Sequence, residues 1–297
     1  MTYLVKINMT IKFLQINRII RIILFSFILF ATFPLFCNSQ NLYNMEQSQK
    51  YAEYLSTSQQ HTLAVEEYER LIYFDENNVN FKFKLIKSYR LSGDLNSGIK
   101  RIYSFYGNSL YSMPQSLANE YIKMQLLTDS LTVVEKYIQQ NNTLSIENKT
   151  IFQCYNLLLS GDYYGANLYI KKAEDNNLAF PADIKILAEK AEKIKYKSPF
   201  LAAGFSAIVP GTGKFYTKNW SDGIISMLFV AGNAWQAYRG FSEKGLKSAY
   251  GWAFAGLSAS FYIGNIFGSV KAAKRYNKIM KNEIDNQIFE FVRSDSF

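Results

Sequence analysis

The sequence predicts an all-α protein in which a helical solenoid precedes a C-terminal helical transmembrane module. Three observations predict this fold class. Residues 44–180 carry a 34-residue period, residues 198–282 contain three apolar segments, and the 297-residue chain has only five prolines. A period of this length is typical of stacked helix pairs, and so few prolines indicate few irregular loops.

Composition excludes several classes of function. Apolar residues make up 48% of the chain and charged residues 19%, which excludes a disordered protein. Two cysteines exclude a disulfide scaffold, and a single histidine, His61, excludes a histidine-based catalytic triad or a multi-histidine metal site. We therefore expect no metal and no cofactor.

The net charge of +9 is unevenly placed. Residues 1–39 contribute +4, residues 40–180 contribute −2, and residues 181–297 contribute +7. The positive excess lies beside apolar segments, which favours a membrane surface over a nucleic acid as the partner. We expect membrane lipid to be a partner, and we expect no binding of nucleic acid.

Residues 1–39 have the organisation of an export signal. Four basic residues precede the apolar stretch 22–36, and the small residues that follow predict cleavage before Gln40. Three alternatives remain open at this point. They are an uncleaved anchor helix, a lipidated Cys37 and a later start at Met9.

A repeated tetrapeptide and a lattice of small residues carry the 34-residue period. Leu-Ser-Gly-Asp at 91–94 returns 68 positions later, twice the period, at 159–162. Small residues fall 34 positions apart, at Ala64, Gly98, Thr132 and Ala166. A small residue here would let two antiparallel helices approach closely. Lys136 interrupts a second series of larger apolar residues four positions further on, at Tyr68, Ile102 and Ile170.

Helix pairs with this period resemble tetratricopeptide repeats. Gly93 and Gly161 are predicted to end the first helix of a pair, and Asp94 and Asp162 to cap the second. The family's tryptophan and its late proline are missing, so the repeats are degenerate. We predict four within the domain 40–180, at 45–78, 79–112, 113–146 and 147–180. The resemblance implies a surface that holds a peptide or a protein partner.

The C-terminal third has a different composition. A basic linker helix is predicted at 181–197, and three apolar segments follow at 199–209, 223–238 and 249–270. The third has 22 uncharged residues, enough to cross a bilayer of ~30 Å, whereas the first has 11. All three tryptophans lie near segment ends, as in the aromatic belts of membrane proteins. The alternative is the buried core of a soluble helical protein.

The third segment also carries a small residue at every fourth position, at Gly256, Ser260, Gly264, Gly268 and Ala272. These residues share one side of a helix, where they let another backbone come close in lipid. We expect that backbone to be the first or second apolar segment of the same chain. A second copy of the chain, which would give a homo-oligomer, is the alternative.

The most motif-like stretch is the elbow after the first segment, Pro-Gly-Thr-Gly-Lys-Phe-Tyr at 210–216. Pro210 is predicted to end the first segment, and Gly211 and Gly213 permit a tight reversal. The stretch is not a phosphate-binding loop, because phenylalanine follows the lysine where serine or threonine is required.

Three polar residues of this region have predicted roles. Lys214 and Tyr216 are expected at the level of the lipid headgroups. Asn265 is expected to satisfy backbone groups that the elbow exposes, because a membrane offers them no water. The alternative is a lipid-phosphate or substrate site formed by Lys214 and Asn265.

The elbow and the third segment together resemble a small bacterial membrane domain. That domain carries a P-G-x-G-x-x-Y elbow, matched here at 210–216, and a G-N-I-Y-G-x-V close, matched as Gly-Asn-Ile-Phe-Gly-Ser-Val at 264–270. Some relatives carry it behind helical repeats, and some are joined to the membrane protein insertion efficiency factor family. The resemblance implies a cell-envelope role around membrane or secreted proteins.

These features predict a non-catalytic protein of the bacterial inner membrane that presents periplasmic helical repeats to a protein partner. No carboxylate pair, Cys/His cluster or nucleophile–base pair is predicted. A small transporter or lipid-handling protein that uses the elbow is the main alternative, and a membrane enzyme is the next.

The arrangement in the membrane follows from the basic residues. The membrane domain 198–282 is predicted to cross three times, which places the tail 283–297 in the cytoplasm. The positive-inside bias favours that side for the basic cluster at 271–281. Two crossings, which leave the tail outside, are the alternative.

Overall fold

The computed structural model describes residues 17–27, 44–178 and 180–294, and these residues form helices and no strand. The all-α prediction is therefore confirmed for this part of the chain. The predicted cleavage site before Gln40 lies outside it. The α-helices are α1 (17–27), α2 (Met45–Thr57), α3 (His61–Phe74), α4 (Val79–Ser92), α5 (Leu95–Tyr106), α6 (Gln115–Leu127), α7 (Leu131–Gln140), α8 (Ile146–Ser160), α9 (Tyr163–Asp175), α10 (Ala182–Glu192), α11 (Pro199–Ile208), α12 (Thr212–Tyr216), α13 (Trp220–Lys244) and α14 (Ala249–Arg293).

Helices α2 to α9 form four helical hairpins, which we call the hairpin array. Each hairpin turns at one residue in the left-handed region, with φ between 56° and 86°, at Gln59, Gly93, Asp129 and Gly161. Asp94 and Asp162 follow the two glycines, and their carboxylates accept from backbone N–H groups of the next helix. The same joint therefore recurs in all four hairpins, although glycine marks it in only two.

The lattice of small residues is buried in three hairpins and exposed in the third. Ala64, Gly98 and Ala166 are buried, but Thr132 is exposed, and Val134 takes the corresponding buried position. A 3₁₀ stretch at Gly107–Ser112 lengthens the connection between α5 and α6, which moves the third hairpin two residues along the chain.

This shift also explains why Lys136 interrupts the series of larger residues. The residue four positions after Val134 is Ile138, which is buried, as are Tyr68, Ile102 and Ile170. Gly98 marks a close approach of helices, because a Cβ atom there would lie 2.8 Å from both Tyr89 Cβ and Met124 Sδ.

The predicted linker helix at 181–197 packs as part of the array. Its helical portion, α10, lies against α9 and joins the main hydrophobic core through Ile184, Leu187, Ala188 and Ala191. The same core holds Cys154 on α8, and burial raises the pKa of its thiol to about 12.

The C-terminal third is built around one long helix. Helix α14 has 45 residues, ~67 Å, and packs along α13 and α11. It is the one described helix that is long and apolar enough to cross a membrane, a finding that rests on length and composition alone. Helix α11 is apolar but shorter.

The end of α14 lies inside the hairpin array. Ile284, Ile288 and Val292 are fully buried in the main core, and this part of the helix lies against α6 and α8. The helix continues through the predicted boundary at 282, so most of the segment expected as a tail belongs to the core. The C-terminal end and the array therefore form one packed core, which contradicts the prediction that a membrane separates them.

The corrected register predicts different consequences for two neighbouring residues of α7. Val134→Ala should lower the free energy of unfolding by about 2 kcal/mol, because it leaves a cavity in the core. Thr132→Ala, the matched control, should stay within about 0.5 kcal/mol of the parent protein. Thermal unfolding of the full-length variants measures both, and a larger effect at Thr132 would restore the strict 34-residue lattice.

Candidate functional site

Two features of the structure are candidates for function, and the first is the docking of α14 into the array. We call residues 284–293 the C-terminal latch. Its apolar stripe repeats every four residues and faces α6 and α8. The stripe is visible in the sequence as Ile-x-x-x-Ile-x-x-x-Val, which is a helical pattern, although the basic cluster before it resembles the end of a domain.

Arg90 on α4 holds the end of the latch. Its side chain is fully buried, and Nε donates to Glu120 Oε2 at 2.5 Å. Nη1 donates to the carbonyl oxygens of Arg293, at 2.7 Å, and Val292, at 3.4 Å. The last carbonyls of a helix have no partner within it and carry its negative dipole end, so a guanidinium stabilises them strongly.

The pairing also balances charge in the core. Glu120 is nearly fully buried, and Lys123 Nζ lies 3.7 Å from its Oε1 atom. A buried carboxylate is stable only when it is paired and hydrogen-bonded. Arg90 therefore neutralises the charge of Glu120 and also donates hydrogen bonds to the carbonyl oxygens at the end of α14.

Further contacts tie α14 to the array and to its neighbours before the latch begins. Lys281 Nζ donates to the carbonyl oxygen of Leu159 at 3.0 Å, and Lys190 pairs with Glu283 at 2.8 Å. The Asn277 side chain bonds the backbone of Lys197 through both its oxygen and its nitrogen. The C-terminal part of α14, from Asn277 to Arg293, is therefore held by contacts over more than four helical turns.

A cavity of about 710 Å³ begins where α14 ends. It lies between α2, α3 and α4, and its lining includes Tyr68, Phe83, Lys84, Lys87, Leu91 and Arg293. Lys84 pairs with Glu53 at 2.6 Å, and this hydrogen bond lowers the pKa of the Glu53 carboxyl. The lining mixes apolar and aromatic side chains with polar and charged ones, and it includes Arg293 and Ser294 at the end of α14.

The second candidate feature is the elbow, where the chain reverses after α11. Gly211 has φ +93°, and a Cβ atom on Gly213 would lie 1.9 Å from the carbonyl oxygen of Ala202. The Gly213 N–H donates to Ser206 Oγ, which lies 2.6 Å from Ser269 Oγ on α14. Helix α12 then returns to the start of α11. The first residue of α11 and the last residue of α12 therefore lie at the same end of the α13–α14 pair.

The polar residues of the elbow differ from their predicted roles. Asn265 is buried, but its side chain makes no hydrogen bond within the described part of the chain, so Ser206 and Ser269 satisfy the elbow instead. Lys214 Nζ points inward and donates to Ser226 Oγ at 2.6 Å. Tyr216 Oη accepts from the backbone N–H of Ser198. No hydrogen bond therefore joins Lys214 and Asn265 among the described residues.

The stripe of small residues does not pack within the chain over most of its length. A Cβ atom on Gly256 or Gly264 would meet nothing within 4 Å, and Ser260 is exposed. Gly268 approaches only the Lys214 side chain. The expectation of an intrachain partner is therefore wrong, and a second copy stays a prediction. The face that α14 buries instead carries Gly251, Asn265, Ser269 and Ala273.

Large apolar side chains are exposed around α11, α13 and the first half of α14. We call this surface the apolar belt, and its strongly exposed members include Phe200, Ile208, Trp220, Leu228, Trp235, Tyr238, Trp252 and Phe267. A continuous surface of this kind marks contact with a membrane or with another protein.

No family model matches this chain, and no similar curated protein or solved structure was found. Within residues 17–27, 44–178 and 180–294, no group of three or more His, Cys, Asp or Glu side chains could hold a metal ion.

The latch predicts a large effect at Arg90. Arg90→Met should cost about 3–5 kcal/mol, because the buried Glu120 carboxylate loses its closest cationic partner and the last carbonyls of α14 lose their donor. Arg101→Met is the matched control, because Arg101 pairs with Glu69 at a half-exposed position where a pair contributes about 0–1 kcal/mol. Limited proteolysis should cut the Arg90 variant near residues 281–293 first. Equal resistance of both variants would show that Arg90 does not hold α14.

A glycine-to-alanine substitution should be damaging in the elbow and neutral in the stripe. Gly213→Ala should cost at least about 1–3 kcal/mol, because the new methyl group collides with the Ala202 carbonyl. Gly264→Ala should be neutral, because the added atom meets open space. Yield and thermal stability of the purified variants measure this difference. A damaging Gly264→Ala would indicate that a second copy packs on the stripe.

Proposed function

We propose that this protein is a non-catalytic membrane tether of the bacterial cell envelope, which presents a helical-repeat surface to a protein partner. One observation carries the proposal. Helix α14 forms part of the apolar belt at its start and part of the array's core at its end. A single rigid element thus joins the surface that suits a membrane to the surface that suits a partner.

The array supports a tetratricopeptide-like solenoid in this proposal. The four hairpins share one joint, and α4, α6 and α8 lie side by side in sequence order. Each hairpin buries its apolar face against the next, as stacked repeats must. Helix α10 closes the series at the C-terminal end.

The belt supports a membrane module with two crossings. The 22 uncharged residues at 249–270 extend ~33 Å as a helix, enough for the hydrocarbon core. Helix α13 would cross beside them, and α11 with α12 would enter and return on the side of the array. The inward contacts of Lys214 support a structural elbow over a transport or lipid-handling site.

The cavity beside the latch is the proposed partner site. It combines aromatic and apolar side chains, which anchor protein interfaces, with the Lys84–Glu53 ion pair in its lining. The latch fills the neighbouring surface of α6 and α8, so a partner would contact the first two hairpins. This differs from the sequence-based expectation of one open surface along all four repeats.

Two observations assign opposite sides of the membrane to the array. The predicted export signal favours the periplasm. The positive-inside rule favours the cytoplasm, because 12 basic residues at 185–218 and 271–281 lie near the array, against three at 239–247. We propose the periplasm, since the first hydrophobic segment usually dominates orientation.

A photo-crosslinking experiment in cells tests the tether. p-Azidophenylalanine at Phe83, in the cavity wall, should capture one specific protein. The same group at Tyr73, which is 87% exposed outside the cavity lining, is the matched control and should not. Equal capture at both positions, or no protein adduct at Phe83, would contradict the proposal.

A further inference from the structure

We infer that a ring of basic side chains at the array-facing end of the α13–α14 pair binds the headgroups of anionic phospholipids. We call this ring the basic collar; its members are Lys195, Lys218, Lys271, Lys274, Arg275 and Lys278. The inference rests on the proposed membrane insertion of the apolar belt. It adds the chemical class of lipid that the protein selects.

Four contacts between neighbours of the collar residues bring the segments that carry the collar together. The Lys197 backbone bonds the Asn277 side chain, and the Ser198 N–H donates to Tyr216 Oη. The Lys197 ammonium lies 4.5 Å from the centre of the Tyr216 ring and 5.9 Å from that of Tyr276. The start of α11, the end of α12 and the 271–278 stretch of α14 therefore lie beside one another.

The collar charges are exposed and lack carboxylate partners. All six side chains are exposed, and none forms an ion pair with a carboxylate among the described residues. In the array, Lys84, Arg90 and Arg101 are paired, whereas Lys100 and Lys136 are exposed and form no ion pair among the described residues. The collar therefore keeps its positive charge available for a ligand outside the described chain.

The collar also lies at the edge of the belt. Lys271, Lys274, Arg275 and Lys278 follow the i, i+3, i+4, i+7 spacing of one helix face, directly after the exposed Phe267. Ala273, on the other face, is fully buried. Where apolar side chains give way to lysines on one outward face, a bilayer presents its phosphate groups. This position favours lipid over an acidic protein.

The test compares two sets of charge removal in the purified full-length protein. The collar variant combines Lys271→Gln, Lys274→Gln and Lys278→Gln. The matched control combines Arg239→Gln, Lys244→Gln and Lys247→Gln at the opposite end of the α13–α14 pair. Each protein, in a neutral detergent, receives phosphatidylglycerol, phosphatidylcholine or inorganic phosphate. Thermal unfolding and native mass spectrometry then measure stabilisation and the number of lipids retained.

The expected result is selective. Phosphatidylglycerol should raise the melting temperature of the parent and the control by several degrees, and the collar variant should lose most of that shift and retain fewer lipids. High salt should weaken the effect. Equal stabilisation of the collar variant, equal stabilisation by phosphatidylcholine, or the same effect from inorganic phosphate would overturn the inference.

Failure of the collar and failure of the tether can be told apart. Alkaline carbonate extraction of cell membranes tests whether the chain is embedded. Release of the parent protein by carbonate would contradict the proposed membrane insertion and the collar together. Retention of the protein without lipid selectivity would overturn the collar alone.

Discussion

A buried guanidinium at the junction of three helices is the interaction on which the rest of the structure depends. Arg90 comes from the second hairpin, Glu120 from the third, and the carbonyls of Val292 and Arg293 from the end of α14. Each group would be costly to bury alone, because a charge or a helix end without partners loses its hydration. Together they are satisfied only when the C-terminal end lies in the array.

That constraint fixes the relation between the two halves of the chain. Because α14 is one helix from Ala249 to Arg293, the position of its end in the array sets the position of the apolar belt. The elbow fits the same arrangement, since α12 returns to the level where α11 begins. The array, the elbow's two ends and the basic collar therefore lie together, and the turn at Gly245–Lys247 lies at the far end.

Local features were predictable from the sequence, and features that depend on distant partners were not. Gly93 and Asp94 mark a helix joint because φ and capping are properties of a few residues. Thr132 is exposed, contrary to its predicted position in the lattice, because the longer connection between α5 and α6 shifts the period. A fixed spacing of 34 residues does not detect such a shift. The predicted packing of the stripe at Gly256 and Gly264 within the chain is wrong. Small residues indicate where another backbone can approach a helix, but they do not indicate whether a backbone lies there. The role of Arg90 was not predictable from the sequence, because its partners lie 30 and about 200 positions away along the chain.

Labelling of single cysteines in intact cells tests the central claim most directly, namely that the array and the end of α14 lie on one side of a membrane and the far turn on the other. Cysteines at Asn142, Glu290 and Leu246 are introduced into a Cys37→Ser protein, in which buried Cys154 stays unreactive. We predict that a membrane-impermeant maleimide gives the same result, labelling or no labelling, at positions 142 and 290, and the opposite result at position 246. Opposite labelling at 142 and 290, or the same labelling at all three positions, would contradict the account.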